Sequence, residues 1–230
     1  VLCLIGAYFT FGNIFYIAAY QVMSTISQPI MGTALDYFYT ADTECLANGP
    51  NFSLAYYITL AGSIGLVINF VGVWIYLATL SKLRVRTVIL ITTALVGVAG
   101  LSDLFIVTRA NIAIGIPDKV AYIMGEAILE PLLGTFNWIP ASALISMSVT
   151  KDMESSCFAF MAGLSNFARM VAELEGSIIF TAAGINTTPG TCNFDALPWF
   201  VLLCHVIMPT VIGLVAAFLL DNVEQTANTT

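Results

Sequence analysis

Charge is the scarcest commodity in this sequence. Only 9% of its 230 residues are Asp, Glu, Lys or Arg, while 59% are hydrophobic and mean hydropathy is +0.92. Ordinary soluble domains carry about 25% charged residues, so a water-soluble globular class is excluded. The seven basic residues form no patch that could follow a phosphate backbone, which excludes nucleic acid as a partner. A single His and the lack of any CxxC pair leave no zinc site. No metal and no cofactor is implied. The net charge of −7 says little about partners, because five of the 14 acids sit inside apolar stretches. There is no initiator Met and no signal-peptide layout at the Val-Leu-Cys start, so a piece of a longer chain is expected.

What is present is apolar sequence in six blocks. Crossing a bilayer as a helix takes roughly 20 residues. Spans are expected at about 1–26, 54–80, 88–107, 121–149, 157–184 and 199–220, with 221–230 as a cytoplasmic tail. Together they predict an all-α integral membrane protein of one six-span bundle in a lipid bilayer. The loop 81–87 holds three of the seven basic residues, Lys82, Arg84 and Arg86. By the positive-inside rule it is cytoplasmic, and Lys151 lies in the next inside loop. Outside turns hold Arg109 and Lys119. This orientation puts Asn51-Phe52-Ser53 and Asn186-Thr187-Thr188 outside, making Asn51 and Asn186 candidate glycosylation sites. Cys45 and Cys192 are the only cysteines in outside loops, where a disulfide is permitted.

The stretch 157–184 is the most informative. It is long enough to span, yet carries Arg169, Glu173 and Glu175. A charge at bilayer depth costs at least about 2.5–3.5 kcal/mol, so such residues face a bundle interior or a water-filled cavity. At roughly 100° per residue, Ser155, Ala162, Asn166, Arg169, Glu173 and Ser177 share one face, while Glu175 points the other way. The fourth span adds Glu126, Glu130, Asn137 and two prolines. Tyr122, Glu126, Glu130 and Asn137 fall on one side, and a Pro-interrupted helix with carboxylates points to a binding site. Asp103 closes the third span. In the first span Asn13, Tyr16 and Tyr20 share a face able to stack on and hydrogen-bond a planar heterocycle. Gln28-Pro29 breaks that helix, and residues 31–40 are expected to continue it toward the surface.

Five intramembrane acids face one intramembrane base. Pairing of Arg169 with Glu173 one turn away is the structural alternative, but it leaves several acids without a cation. Unpaired acids at depth are what proton-coupled transport uses. The planar fork of Arg169 suits an anionic substrate group. His205 reads as a hydrogen-bonded packing residue rather than a proton relay. The small residues Gly62, Gly65 and Gly72 of the second span, which share a side with Asn69 and Tyr76, read as a helix-packing surface. An intramembrane enzyme would need a metal-ligand cluster, a nucleophile–base pair or HExxH, and none is present.

Several motifs carry a resemblance through nearly the whole chain. They include Tyr37-Phe38-Tyr39-Thr40 and Gly49-Pro50-Asn51-Phe52-Ser53. The most specific runs over 101–118, with Asp103, Leu104, Val107, Arg109, Asn111, Gly115, Ile116, Pro117 and Asp118. Glu126, Trp138 and Pro140 follow, then Glu154, Phe158, Ala159, Gly163 and Asn166. The chain resembles the C-terminal half of the folate-biopterin transporter family, a branch of the major facilitator superfamily, with a texture most similar to trypanosomatid members. The resemblance implies a twelve-span, two-bundle transporter, of which this chain supplies the second six spans and lacks the N-terminal half. It implies plasma-membrane uptake of a pterin or folate by alternating access, and in some relatives of other metabolites. The proton coupling read from the acids would make it a symporter. A truncated copy that does not transport is the remaining alternative, against which the retention of buried charges speaks.

Overall fold

The computed structural model describes residues 13–30, 32–148, 154–188, 190–218 and 220. The loop around Lys151 and the tail 221–230 lie outside the described residues, as do residues 1–12. Among the described residues the chain is helical, with one isolated antiparallel bridge between Asn186 and Asn193. We number the helices α1 (Asn13–Ile26), α2 (Gly32–Thr40), α3 (Ala55–Lys82), α4 (Val85–Val107), α5 (Ala110–Ala113), α6 (118–148), α7 (Glu154–Ala182) and α8 (Leu197–Ala217). A helix satisfies its backbone polar groups internally, the condition for an apolar surrounding. Three of these helices, α3, α4 and α8, are long and apolar enough to cross a membrane.

Neighbours follow from small residues. Helix α3 lies on α6, where Gly65 meets Pro131 and Gly72 meets Leu132 and Thr135. Gly62, on the same helix, faces open space. Helix α4 packs between α6 and α8, and α1 packs on α7 and α8. The outer surface of α3 stays apolar and open, with Phe70, Trp74 and Leu66 all exposed.

Three helices carry widened turns and a further one is broken, and proline explains most of it. A proline has no N–H and its ring displaces the carbonyl four residues back. Pro131 follows a widened i→i+5 turn over Ile123–Leu129 in α6, and Pro209 follows another over Leu202–Ile207 in α8. The displaced carbonyls are those of Ala127 and His205. The His205 oxygen lies only 2.3 Å from where a Cβ on Gly100 of α4 would sit, so only glycine allows that approach. A third widened turn, Ala55–Leu60, opens α3. Pro29 separates α1 from α2. The Ile30 N–H beyond it donates across to the Ala172 carbonyl of α7 at 3.0 Å.

One end of the bundle is tied by side chains. Cys45 and Cys192 form a disulfide with Cα atoms 5.4 Å apart. Arg109, in left-handed conformation at φ 60°, holds Asp118 through two hydrogen bonds of 2.7 and 2.9 Å. The buried Asn111 donates to the same carboxylate at 2.8 Å and to the Ile116 carbonyl at 3.1 Å. Much of the motif over 101–118 is therefore a turn-locking device. Beneath it Tyr39, Phe52, Tyr56, Tyr57 and Tyr122 pack ring against ring.

Candidate functional site

The break at Pro29 sits between two cavities. The first, of about 320 Å³, is lined by acids from three helices, Asp36 of α2, Asp103 of α4, and Glu126 and Glu130 of α6, with His205 of a fourth, α8, facing them. His205 Nδ1 lies 2.6 Å from Asp103 Oδ2, and the Tyr39 hydroxyl donates to Asp103 Oδ1 at 3.4 Å. Glu126 lines the same cavity as Asp103. A carboxyl donates when protonated and only accepts when ionised. The Tyr57 hydroxyl donates to Asp36. Among the described residues no Lys or Arg lines this cavity. The cluster is thus able to hold and exchange a proton among carboxyls and an imidazole.

Asp103 stands on the regular helix α4, but most of the residues around it sit at a helix irregularity. Tyr57, Glu126 and His205 lie within the three widened turns, and Asp36 and Tyr39 follow the Pro29 break. Widened turns are frequent at functional sites because they turn side chains away from the regular helical register.

The second cavity, of about 440 Å³, is polar and carries a cation. Tyr20 of α1 donates to Asn137 Oδ1 of α6 at 3.4 Å, and Trp138, Asn166 and Arg169 complete the wall. Arg169 pairs with Glu173 at 3.4 Å, but the two side chains are 68% and 54% exposed. An ion pair so open is worth about 0–1 kcal/mol, so it leaves the guanidinium available. Ser155, Ala162, Asn166, Arg169, Glu173 and Ser177 all lie on the exposed face of α7.

Several sequence expectations change on folding. Residues 32–40 form α2, which buries Tyr39 and puts Asp36 on the wall of the first cavity. Tyr122, Glu126 and Glu130 line one pocket against α3, as a shared face predicts, while Asn137, two turns beyond Glu130 in regular helix, reaches the second cavity. Tyr16 is 45% exposed and lines neither cavity, unlike the buried Tyr20. The Asn13 side chain lies outside the described residues. His205 is hydrogen-bonded, but at the acid cluster rather than in packing alone. Glu175 has one oxygen buried without a partner. Asn51, at φ 47°, is exposed, and Asn186 Nδ2 donates to Thr191 Oγ1 at 3.1 Å. Sequence reasoning gave no site role to Asp36, Tyr39, Tyr57 or His205. The available signal was a polar residue about one turn before a proline in both α6 and α8.

A protein-family model described as the BT1 family matches residues 1–230. The chain belongs to the BT1 family. Curated relatives of this BT1 chain include the Folate transporter 1 of Plasmodium falciparum (isolate 3D7), 23% identical over 93% of this chain and 39% of the relative. The Probable folate-biopterin transporter 6 of Arabidopsis thaliana is 26% identical over 75% of this chain and 32% of its own length. The Folate-biopterin transporter of Synechocystis sp. (strain ATCC 27184 / PCC 6803 / Kazusa) is 26% identical over 61% of this chain and 27% of its length. The BT1 chain therefore spans roughly a third of the length of the curated relatives it matches. No solved structure matches it. With its apolar helices, this BT1-family chain is a membrane protein of a transporter family.

Proposed function

We propose that this chain is one six-span half of a twelve-span secondary transporter that takes up a pterin or folate with protons, by alternating access at the plasma membrane. The observation that carries the reading is the acid cluster of Asp103, Glu126 and His205 beside the Pro29 break. It is a protonatable group with no Lys or Arg among the described residues of its lining, set where a helix is discontinuous, as transporter sites are. In this reading Asp103, Glu126, Glu130 and His205 handle the proton. Tyr20, Asn137, Trp138, Asn166 and Arg169 meet the substrate: amides and aromatic faces suit a pterin ring, and the guanidinium suits an anionic group.

The exposed polar face of α7 supports the absence of a partner bundle. Asn166, Arg169, Glu173 and Ser177 cannot face hydrocarbon cheaply, and an N-terminal half would enclose them. The names of the relatives support folate or pterin as the substrate class, and no catalytic motif in the sequence supports an enzyme.

The test is uptake of labelled biopterin and folate by cells expressing the full-length protein, at mildly acidic and at neutral pH. Uptake of either compound, faster at acid pH, is the expected result. No uptake of either despite normal surface amounts would overturn the substrate reading.

A further inference from the structure

The two cavities share a wall. Of the polar side chains, only Gln28 lines both, together with the apolar Ile30. Its backbone N–H is taken by the Thr25 carbonyl at 3.1 Å, and among the described residues its side-chain amide reaches only the Ser24 carbonyl, at 3.5 Å. That is the outer limit of a hydrogen bond, so the carboxamide is close to free.

The segment bearing it is pinned at its far side and joined to a different cavity at each end. Ile30 N–H donates to Ala172 of α7. The Ile30 carbonyl lies 2.1 Å from where a Cβ on Gly176 would sit, so the break nests against that glycine. Before the break, Tyr20 bonds Asn137 in the substrate-side cavity. After it, Tyr39 bonds Asp103 and Asp36 accepts from Tyr57 in the acid cavity. One discontinuous helix therefore touches both sites through bonds on opposite sides of a single hinge.

We infer that Gln28 is a positioning residue that couples the two cavities, its carboxamide passing the protonation state of the acid cluster to the substrate side through the Pro29 break. The inference rests on the proton-coupled reading above. The groups that set the state on one side are Asp36 and Tyr39 from α2, Tyr57 from α3, Asp103 from α4, Glu126 and Glu130 from α6, and His205 from α8. On the other side stand Tyr20 from α1 and Arg169 from α7, the latter paired with Glu173; the Cys204 thiol lines the acid cavity, under the influence of Glu175. A carboxamide can both donate and accept, so it serves either state of a neighbouring carboxyl. A leucine of similar size can do neither.

The experiment uses the full-length protein in liposomes, with labelled biopterin or folate, and separates two readouts. Counterflow at equal pH measures binding and exchange; accumulation driven by an inward proton gradient measures coupling. Gln28→Leu is expected to keep counterflow within about twofold and to lose gradient-driven accumulation by at least about tenfold, with a flattened pH profile. Gln28→Glu, which keeps the polar link, is expected to retain gradient-driven accumulation. Accumulation that survives Gln28→Leu overturns the inference, and so does equal loss of both readouts. If the unsubstituted protein exchanges substrate but ignores the gradient, the proton reading itself fails. If it exchanges neither compound, the substrate reading fails.

Discussion

The Nδ1 of His205, in α8, stands 2.6 Å from the Oδ2 of Asp103, in α4, across 102 residues of chain. Pro209 one turn later displaces the His205 backbone carbonyl toward Gly100, and the widened turn rotates the imidazole onto the acid. The pair is a functional unit if the proton reading holds. His205→Ala and Asp103→Asn in the full-length protein are each expected to cut acid-stimulated uptake at least about tenfold, and the double variant to lose no more than the worse single one. Uptake at matched surface amounts measures this, and strictly additive losses would break the pairing.

Arg169 and Glu126 stand in separate cavities, and the proposed transport cycle requires both. Arg169→Ala and Glu126→Gln are each expected to abolish uptake while leaving surface expression unchanged. Normal uptake by both would remove the assignment of these cavities.

Close helix approach at two glycines is a packing requirement with a measurable cost. A Cβ at Gly176 would meet the Ile30 carbonyl at 2.1 Å, and one at Gly100 the His205 carbonyl at 2.3 Å. Backbone cannot move aside as a flexible side chain can, so Gly176→Ala and Gly100→Ala are each expected to cost about 1–3 kcal/mol. Gly62→Ala, facing open space, is expected to be neutral to slightly stabilising. Thermal unfolding in detergent ranks the three, and a Gly62 variant as damaged as the others would contradict the packing argument.

The disulfide joins segments 147 residues apart. Cross-linking so long a loop restricts the unfolded chain, an effect typically worth about 2–4 kcal/mol. Reductant, Cys45→Ser, Cys192→Ser and the double variant are all expected to lower the unfolding temperature equally. Unequal single variants would mean the thiols act separately.

Composition alone determined the broad class of this protein. A chain with 9% charge in six apolar blocks must bury its backbone polar groups in helices within a lipid surround. The rare charges in those blocks were visible for the same reason: a costly residue that is kept is a residue in use. Helical periodicity likewise put Asn166, Arg169 and Glu173 on one face of α7, because that helix runs without a break.

Tertiary structure decided which polar groups meet. Periodicity gives the face of a helix and not the height along it. It placed Glu126, Glu130 and Asn137 on one face, and their heights along α6 divide them between two cavities. Nor does it show that beyond the Pro29 break α2 brings Tyr39 to Asp103 and Asp36 to the same cavity. His205 became an acid's partner only because Gly100, a hundred residues away in sequence, lets its backbone approach. Such contacts depend on the direction of a broken helix and the absence of a single methyl group, and neither is written in the local sequence of the residues that meet.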